Sequence, residues 1–535
     1  MTEKSCFKHN LLHYDEGLVR VPFLVRGRLI VPPEISREQI ESVFGQTDKR
    51  ATYIKLPRAQ VVREPVIDRK SMKYNGKYVY QVMPAVNGLE LIETDKDRLA
   101  RGLYTLSTED ILKYLQSIQS ALLTNRTLIS RLRDICRLTS EFPDALLDGW
   151  FDAFPTAFNR EAARQMIDNE LAFWGKPGSD FLNGWVELPA VISPGLLHKQ
   201  VSGRFGWDIS PTAQAEKTLV RAMPTCQLHI TAGNAPEVSV ISALRAVLTK
   251  SAATIKLPYG AILTGALFSL AAYTAAPEHP ITQSLSMVYW QGGDDTIESI
   301  LFRPCAFDRI VIWGSSETVV SVQSRALFAR IISLNPRYSV SLIGREAFSG
   351  SLEETALKAS MDVMIHNQKA CTASLVNFIE GPEEQANKYA GILSEILKKW
   401  DQKMPGFVSP AAIGQIKHMR RGKYANARWC VNNRGEDFSS GSVVIPGEFD
   451  ILDHPMCRLV IVKPVNNLED ALRNLNHSVS TVSVYPEPRR LELRDRILAR
   501  GVSNVLPLGQ SERFYAGMSH DGIVVLSQLV DWKNG

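Results

Sequence analysis

The stretch CQLHITAGNAP, residues 226–236, decides the fold class of this chain. It is a short run of apolar and β-branched residues that stops at Gly233-Asn234, the pattern of a buried strand followed by a turn. Helical segments separate it from four similar runs, which are AATIKLP (252–258), LSMVYW (285–290), DRIVIWG (308–314) and YSVSLIG (338–344). Apolar strands that alternate with helices predict a parallel, doubly wound α/β sheet of the Rossmann type.

The residues that follow these strands are the first candidates for a ligand site, because such sheets bind ligands beyond the carboxyl ends of their strands. They are Gly233-Asn234, Lys256, Gly314-Ser315 and Gly344. The GxGxxG dinucleotide fingerprint is absent from these turns. Periodicity alone therefore indicates a nucleotide-sized ligand and no particular chemistry.

The rest of the chain divides by pattern. Alternating segments fill the first hundred residues, a helical stripe follows Ser107, and a second α/β unit holds the stretch HNQKACTAS (366–374). We predict an N-terminal β-rich extension at 1–106, a helical segment and cofactor-binding domain at 107–344, a catalytic cysteine domain at 345–505, and a C-terminal return segment at 506–535.

Composition limits the function classes. The chain has 535 residues, 45% of them hydrophobic and 22% charged, and a formal net charge of +5. No concentrated Lys/Arg run indicates nucleic acid as a partner, although the mild positive charge suits an anionic ligand such as a nucleotide or coenzyme A. The N-terminal residues lack a signal-peptide pattern, and the longest apolar stretch (260–276) suits a buried helix better than a membrane span. We therefore expect a cytoplasmic protein.

The seven cysteines give no framework of their own. They are scattered, odd in number and without CxxC spacing, which argues against disulfides or a zinc site and for a reducing compartment. Taken alone, a cysteine such as Cys371 is more commonly an inert core thiol than a nucleophile.

Four segments together resemble the aldehyde dehydrogenase superfamily. NQKAC (367–371) is similar to its Asn-Gln-Gly-Gln-Cys nucleophile motif, and IWGSSE (312–317) to its Phe-Thr-Gly-Ser-Thr-Glu turn. GNAP (233–236) resembles its Trp-Asn-x-Pro segment, and IKLP (255–258) its Lys-Pro strand end. Within the superfamily the closest resemblance is to the long-chain acyl-CoA reductases of the LuxC type, which supply fatty aldehyde to bacterial luciferase. That likeness includes the late segments GVSNVLPLG and AGMSHDG.

The resemblance implies an aldehyde dehydrogenase-like fold and a set of catalytic roles. Cys371 would take the acyl group, and the Asn234 amide with the Cys371 backbone N–H would hold the oxyanion. His520 would donate a proton to the departing group. The alternatives are a turn or cap role for Asn234 and a structural or exposed role for His520.

The same resemblance implies a cofactor site. Lys256 would hold the adenosine ribose, Gly314 and Ser315 would form the turn near the pyrophosphate and nicotinamide, and Glu317 follows in that motif. A surface role for Lys256, and helix capping by Ser315 and Glu317, are the alternatives. NAD-preferring relatives often carry a glutamate three residues after the lysine. This chain has Tyr259 there, which implies NADPH as the cofactor.

A second departure indicates the direction of the reaction. Oxidising members of the superfamily carry a glutamate in a Glu-Leu-Gly-Gly stretch that activates water, whereas SVSLIGRE (339–346) has Leu342 at or near that place. Glu346 could substitute for it, although a surface role is the favoured interpretation. Without that base, an acyl-enzyme survives until hydride or a thiol meets it.

The resemblance therefore implies an NADPH-dependent reduction of a fatty acyl-CoA, or of an acyl carrier thioester, to the aldehyde through a cysteine thioester. An aldehyde dehydrogenase acting oxidatively and a non-catalytic scaffold subunit of an acyl-transfer complex are the alternatives. We also expect a homo-oligomer and an acyl-protein synthetase partner, and no metal, nucleic acid or membrane span.

Overall fold

A computed structural model describes residues 13–15, 17–189, 204, 217–513 and 515–535. The strands of these ranges form four sheets, two of them with seven strands. The α-helices of these ranges are Arg37–Gly45, Lys96–Arg101, Thr108–Thr124, Arg126–Thr139, Asp144–Ala153, Arg160–Glu170, Gly178–Asn183, Val238–Leu248, Ile262–Ala275, Asp295–Leu301, Ser316–Arg325, Leu352–Met364, Glu383–Lys403, Pro410–Arg421, Leu468–Ala471, Glu487–Leu498 and Val525–Leu529.

The first large sheet contains the run that ends before Asn234. Its first five strands are parallel, and the last two form an antiparallel hairpin added to the edge. In spatial order the strands are Arg330–Leu334, Arg309–Trp313, Cys226–Ile230, Ala252–Lys256, Leu285–Val288, Phe23–Val25 and Arg28–Ile30. The parallel strands with intervening helices confirm the predicted α/β class.

One predicted strand of this sheet is wrong. Residues Tyr338–Ile343 pair with Ser374–Glu380 in the second large sheet, and the edge strand of the first is Arg330–Leu334. The edge strand has a mixed burial pattern because one of its sides lacks a neighbouring strand, so its sequence is less continuously apolar. The predicted domain boundaries stay a prediction.

Chain direction in the first large sheet sets which helices share a face. From Cys226–Ile230 the chain moves outward twice, through helices Val238–Leu248 and Ile262–Ala275, and then returns to the opposite side of its starting strand. Because such crossovers are right-handed, these two helices lie on one face, and the helices that follow the return lie on the other. The reversal beside Cys226–Ile230 is the point where open α/β sheets bind ligands.

The second large sheet carries the cysteine stretch at the start of a central strand. In spatial order its strands are Arg428–Arg434, Asp437–Val444, Leu459–Val465, Ser374–Glu380, Tyr338–Ile343, Val479–Tyr485 and Asn504–Pro507. All pairs are parallel except the first. Ser374–Glu380 is buried along its whole length, so the residues just before it are held firmly.

Two smaller sheets complete the molecule. The N-terminal sheet has the strands His13–Asp15, Leu18–Arg20, Lys73–Pro84, Ala59–Asp68 and Tyr53–Leu56 in spatial order. In the three-stranded sheet, Asp531–Asn534 pairs with Lys217–Met223, which also pairs with Val186–Pro189. The C-terminal segment thus returns to the neighbourhood of the first large sheet.

The helices behind the first large sheet form as their sequences predict. Ser107 and Asp110 make a reciprocal capping box at the start of Thr108–Thr124, whose apolar stripe is buried. Ile262–Ala275, the longest apolar stretch, is buried over most of its length because it packs between the sheet and Thr108–Thr124. Among the helices of the described ranges, none combines the length and apolarity needed to cross a membrane.

Candidate active site

Cys371 lies in a turn between helix Leu352–Met364 and strand Ser374–Glu380. Three consecutive residues ahead of it adopt left-handed backbone angles, with φ of 45° at His366, 56° at Asn367 and 66° at Gln368. Non-glycine residues pay a steric cost in this region, so such a run persists only where its surroundings hold it. We call residues 366–371 the cysteine loop.

Side chains of the cysteine loop are tied to the second large sheet. The Gln368 amide donates to the carbonyl of Leu459 at 2.8 Å and to that of Ser374 at 3.0 Å. The Asn367 amide donates to the Phe407 carbonyl at 3.0 Å. These bonds attach the strained loop to the backbone of the surrounding segments and so fix it in place.

A buried ion pair supports the same loop. The Arg458 guanidinium donates to the Asn367 side-chain oxygen at 2.6 Å and pairs with Asp401 at 2.7 Å. Both charged side chains are almost fully buried. Removing either partner would leave the other charge buried without compensation, so the pair makes the geometry of the loop costly to change.

The other side of the cysteine loop contacts the first large sheet and its helical layer. The Asn234 amide donates to the carbonyl of Lys369 at 3.4 Å, and the Lys369 ammonium pairs with Glu141. The His366 imidazole lies 3.6 Å from the Glu237 carboxylate. The Asn234 side chain, which the sequence predicts as an oxyanion donor, thus contacts the residue that lies two positions before Cys371 in the chain.

The Cys371 side chain is partly buried, and the groups around it have opposing effects on the pKa of its thiol. Burial raises the pKa of the thiol to about 11, and the charge of Asp521 acts in the same direction. Hydrogen bonds from the Ser480 hydroxyl and from the backbone N–H groups of Cys371 and Thr372 oppose the increase in pKa. The resting thiol is therefore protonated at neutral pH, and it is already beside donors that favour its thiolate.

Asp521 and its neighbours form a polar cluster that the sequence did not reveal. While the thiol is protonated, the Ser480 hydroxyl donates its one hydrogen to Asp521 Oδ1 at 3.0 Å; the bond to the Cys371 sulfur requires the thiolate. Arg337 Nε lies 3.9 Å from Asp521 Oδ2. The Asp521 side chain is 6% exposed. Asp521 follows His520 directly, which is the one sequence cue to it, whereas nothing local distinguishes Ser480 or Arg337.

His520 lies beside this cluster and beside the strand that carries the glycine turn. Its Nε2 is 3.8 Å from Asp521 Oδ2, and its ring meets the Trp313 ring edge-on at 5.0 Å. Burial, together with the charge of the buried Arg245, lowers the pKa of His520 to about 4. The imidazole is therefore neutral at pH 7 and donates through a neutral N–H.

The predicted cofactor residues lie at the strand ends on either side of the reversal point. Lys256 ends its strand with the ammonium 5.5 Å from the ring centre of Tyr289 and 5.4 Å from that of Trp290. Burial lowers the pKa of Lys256 to about 8. An ammonium held against aromatic faces at the end of a strand suits a ribose or phosphate oxygen.

The glycine turn opens the helix Ser316–Arg325. Ser315 Oγ accepts from the Thr318 N–H at 3.4 Å, and a hydrogen bond from Ser315 lowers the pKa of the exposed Glu317 carboxyl. A Cβ on Gly314 would lie 3.2 Å from the Thr318 Cβ, so the turn has room for little more than backbone. Helix N–H groups reached through a glycine fit a nucleotide pyrophosphate. The capping role and the cofactor role of Ser315 and Glu317 are therefore compatible.

Tyr259 has an environment that its position did not predict. Its hydroxyl donates to the carbonyl of Arg63, in strand Ala59–Asp68 of the N-terminal sheet, at 3.2 Å. Burial raises the pKa of this phenol well above its ordinary value, so the side chain carries no charge at neutral pH. The third position after Lys256 is thus occupied by an uncharged ring.

The two residues considered as a hydrolytic base differ in placement. Leu342 is fully buried in the apolar cluster with Leu375 and Val484. Glu346 is exposed and pairs with Arg489 at 2.9 Å. Within the described ranges, neither position offers a carboxylate to Cys371.

Comparison with known proteins identifies the family of this chain. Residues 211–532, more than half of the chain, match the family model described as acyl-CoA reductase (LuxC). This chain belongs to the acyl-CoA reductase (LuxC) family. The predicted family is thereby confirmed, and the chain is an oxidoreductase of the class that acts on acyl groups.

Several curated relatives carry the same name. The chain is 26% identical over 369 residues to the long-chain acyl-protein thioester reductase of Photorhabdus laumondii subsp. laumondii, covering 65% of this chain and 72% of the relative. It is 26% identical over 317 residues to the reductase of the same name from Vibrio harveyi, covering 58% and 64%. The LuxC-family match therefore extends to named thioester reductases.

Solved structures support the superfamily fold. NADP-dependent glyceraldehyde-3-phosphate dehydrogenase from Bacillus halodurans C-125, complexed with NADP, superposes with a TM-score of 0.65 at 13% identity, over 96% of this chain and 98% of that one. Salicylaldehyde dehydrogenase from Pseudomonas putida G7 gives 0.66 at 13% identity, over 96% of each chain. The predicted aldehyde dehydrogenase-like fold is confirmed.

Proposed function

We propose that this chain reduces a fatty acyl thioester, either acyl-CoA or an acyl-protein thioester, to the aldehyde with NADPH through an acyl group held on Cys371. The observation that carries the proposal is the cysteine loop. It holds three left-handed residues against a buried ion pair while it contacts Asn234 across the two large sheets. A scaffold protein has no use for such a strained arrangement around a thiol.

Acylation uses the groups around Cys371. The Sγ atom attacks the thioester carbonyl carbon, the bond to the donor's sulfur breaks, and the donor leaves as a thiol. The Asn234 amide and the Cys371 N–H stabilise the negative charge that develops on the carbonyl oxygen. The proposed acceptor for the Cys371 proton is the Ser480–Asp521 pair, through the hydroxyl that bonds Asp521 Oδ1 at 3.0 Å. The departing donor takes up that proton and so leaves as a thiol.

The second half of the reaction returns the acyl group as an aldehyde. A nicotinamide cofactor, when bound, supplies hydride to the acyl carbon. The same oxyanion donors serve again, the carbon–sulfur bond breaks, and Cys371 becomes free. His520 is suited to donate a hydrogen bond at this stage because its neutral ring lies next to Trp313, which ends the strand before the glycine turn.

Reduction rather than hydrolysis is supported by what faces the thioester. Leu342 points into an apolar cluster and Glu346 pairs with Arg489 on the surface. In the described part of the chain, the carboxylate whose charge acts on Cys371 is Asp521, which the proposal assigns to the thiol proton. A water molecule would thus lack the dedicated glutamate that an oxidising relative supplies.

The absence of a negative charge at Tyr259, near Lys256, supports NADPH as the cofactor. An uncharged Tyr259 does not repel a 2′-phosphate, whereas a glutamate there would. Initial rates at low cofactor concentration test this assignment, and equal turnover with NADH would contradict it.

A homo-oligomer and an acyl-protein synthetase partner also belong to the proposal. Val320, Leu327 and Phe328, in and after helix Ser316–Arg325, are 64%, 73% and 77% exposed. Exposed apolar side chains close together in sequence suit a contact with another subunit. Light scattering of the wild type and of Phe328→Asp measures whether this surface holds an oligomer together.

Mass spectrometry tests the central claim. The wild type incubated with an acyl-CoA in the absence of NADPH is expected to gain one acyl group on the peptide that contains Cys371, and to lose it as aldehyde when NADPH is added. Cys371→Ala should do neither, and Cys305→Ser, a change at an exposed thiol, is the matched control. Aldehyde formation by Cys371→Ala at the wild-type rate would refute the function.

A further inference from the structure

One strand of the N-terminal sheet connects the two halves of the candidate active site. Strand Ala59–Asp68 and Arg69, which follows it, together span about 30 Å, and we call residues 59–69 the bridging strand. It lies outside residues 211–532, which match the family model. One end of the bridging strand contacts a loop beside Lys256, and the other end contacts a segment beside the cysteine loop.

Arg69 holds the segment that leads into helix Asp144–Ala153. Its Nη1 donates to the Ser140 carbonyl at 2.6 Å, and its Nη2 donates to the Phe142 carbonyl at 2.5 Å. Its Nε donates to the Asp144 carboxylate at 3.0 Å. Because the donors of a guanidinium have a rigid fork geometry, these three bonds together fix the path of the segment.

The segment held by Arg69 carries a partner of the cysteine loop. Glu141 lies between the two bonded carbonyls, and its carboxylate pairs with the Lys369 ammonium. The Lys369 carbonyl accepts from the Asn234 amide at 3.4 Å, and Cys371 follows two residues later. A displacement of Glu141 therefore moves Lys369, and with it the proposed oxyanion donors relative to the Cys371 thiol.

The turn after the bridging strand supports the cysteine loop by a second route. Ile67 and Met72 form an apolar cluster with Phe407, and the Tyr74 ring meets the Phe407 ring at 4.8 Å. The Phe407 carbonyl in turn accepts from the Asn367 amide at 3.0 Å. This end of the N-terminal sheet thus reaches the cysteine loop through two separate neighbours.

The other end of the bridging strand contacts residues 289–296, which we call the Tyr289 loop. The Gln60 amide donates to the Tyr289 carbonyl at 2.6 Å and to the Pro84 carbonyl at 3.0 Å. Gln60 is 3% exposed, so both bonds are shielded from water. Tyr289 provides one of the two rings that face the Lys256 ammonium, at 5.5 Å. Gln60 therefore fixes the residue against which the proposed ribose-binding lysine is held.

Two neighbours of Gln60 contribute further contacts at this end. Lys55, its cross-strand partner, donates to the Asp294 carboxylate in the Tyr289 loop at 3.0 Å. The Arg63 carbonyl accepts from the Tyr259 hydroxyl at 3.2 Å. The N-terminal sheet thus holds the loops that follow two neighbouring strands of the first large sheet.

We propose that the bridging strand positions both halves of the active site, with Arg69 positioning the cysteine loop and Gln60 positioning the Tyr289 loop. This inference rests on the proposed function, and it adds two positioning residues to that reaction. Both act through the residues that they hold. Because their bonds lie at opposite ends of one strand, their effects separate: Arg69 acts on acylation, and Gln60 acts on NADPH binding.

Arg69→Met tests the end near Cys371. Mass spectrometry follows acylation of Cys371 over time with acyl-CoA and without NADPH. The rate constant is expected to fall about 10- to 100-fold, the effect of a displacement of about 1 Å at the reacting atoms. The Kd for NADPH should stay the same. An unchanged rate constant, or an equal change in the Kd for NADPH, would overturn the role of Arg69.

Arg69→Lys separates positioning from stability. A lysine keeps the charge and reaches a carbonyl, but it lacks the planar fork, so its rate constant should lie between those of the wild type and Arg69→Met. Loss of folded protein alone lowers the amplitude of acylation and not its rate constant. A lower amplitude with the wild-type rate constant in Arg69→Met would show a structural role only and would overturn the inference.

Gln60→Leu tests the end near Lys256. The Kd for NADPH, measured by nicotinamide fluorescence, should rise about three- to tenfold, the effect of one lost hydrogen bond. Acylation of Cys371 needs no cofactor and should keep its rate constant. A wild-type Kd, or slower acylation, would contradict the role of Gln60.

Val61→Ala is the matched control for both ends. Val61 follows Gln60 in the strand, so its side chain lies on the opposite side of the sheet, where it packs with Ile40 and Phe44. The substitution should lower the thermal midpoint and leave both the acylation rate constant and the Kd for NADPH unchanged. A change in either would show that the sheet acts as a whole, which would overturn the assignment to Arg69 and Gln60.

Two measurements without a thioester separate failure of this inference from failure of the proposed function. Iodoacetamide should label Cys371 faster in Arg69→Met, because a loosened loop exposes the thiol, and NADPH binding is measured directly. If the wild type forms no acyl-enzyme while Arg69→Met changes labelling and Gln60→Leu changes the Kd, the reductase is refuted and the positioning roles stand. If the wild type forms aldehyde and neither variant changes its own step, the positioning roles are refuted and the reductase stands.

Discussion

Asp521→Asn separates two effects of one carboxylate on Cys371. The Asp521 charge raises the pKa of the thiol, and the same carboxylate is the proposed end point for the thiol proton through Ser480. The substitution keeps the shape of the side chain and its bond from Ser480. Thiol ionisation and turnover should therefore respond in opposite directions.

The size of the first effect follows from the thiol pKa. With a pKa of about 11, roughly one thiol in a thousand is ionised at pH 8. Removing one nearby charge lowers the pKa by about 1 unit, which raises the thiolate fraction about tenfold. The more acidic thiolate is about threefold less nucleophilic, so alkylation at pH 8 should become about threefold faster.

Iodoacetamide labelling of the Cys371 peptide, followed by mass spectrometry from pH 7 to 10, measures this rate. The exposed Cys305 in the same sample serves as the internal control. Aldehyde formation from acyl-CoA should meanwhile fall, because the acceptor of the proton is lost. Ser480→Ala should instead slow both labelling and turnover, since the hydroxyl favours the thiolate.

Two results would refute this reasoning. Unchanged labelling in Asp521→Asn would mean that the charge does not act on the thiol. Faster labelling accompanied by faster turnover would mean that Asp521 does not receive the proton, and that its charge only opposes ionisation.

Three further predictions concern the oxyanion, the cysteine loop and acid stability. Asn234→Ala should lower kcat for aldehyde formation about 10²- to 10³-fold, because one oxyanion donor is lost. The thermal midpoint should not change, because the side chain is exposed. A normal kcat would exclude the Asn234 amide as an oxyanion donor. Arg458→Met should lower the free energy of unfolding, measured by chemical denaturation, by about 3–5 kcal/mol, since Asp401 stays buried without its partner. A loss below about 1 kcal/mol would contradict the proposal that this ion pair supports the cysteine loop. Burial lowers the pKa of His229 from 6.5 to about 3, so the unfolded chain takes up a proton before the folded chain does as the pH falls. The free energy of unfolding should therefore be about 2 kcal/mol lower at pH 5 than above pH 6.5 because of this group. His229→Gln should reduce the loss of stability in acid by that amount.

Local sequence predicted most of the first large sheet because its central strands are buried on both sides. Cys226–Ile230 and Ala252–Lys256 are buried along almost all of their lengths; Asn234 lies in the turn after the first, and Lys256 ends the second. The assignment failed for Tyr338–Ile343, whose residues are equally buried but belong to the second sheet. Hydrophobic runs identify a buried strand and do not tell which sheet it joins.

The support of Cys371 could not be found in the same way. Arg458 and Asp401 are 57 residues apart, and Ser480 lies more than a hundred residues beyond the cysteine. None of them belongs to a recognisable motif, because their role exists only after the second sheet has assembled. Tyr259 shows the same limit, since its partner Arg63 lies 196 residues earlier in the chain.

The resting thiol and the strained loop together indicate where reactivity comes from. The second large sheet fixes the loop through Gln368 and the buried Arg458, yet burial and the charge of Asp521 raise the pKa of Cys371, so the resting thiol is protonated. The groups that favour its thiolate or its oxyanion arrive from elsewhere, Ser480 from a neighbouring strand and Asn234 from the first large sheet. A thiol that ionises only in such company is protected from solution oxidants, because the thiolate is the species that they attack. We therefore propose that the contacts from both large sheets to the cysteine loop are what make a buried cysteine a nucleophile for a bound thioester.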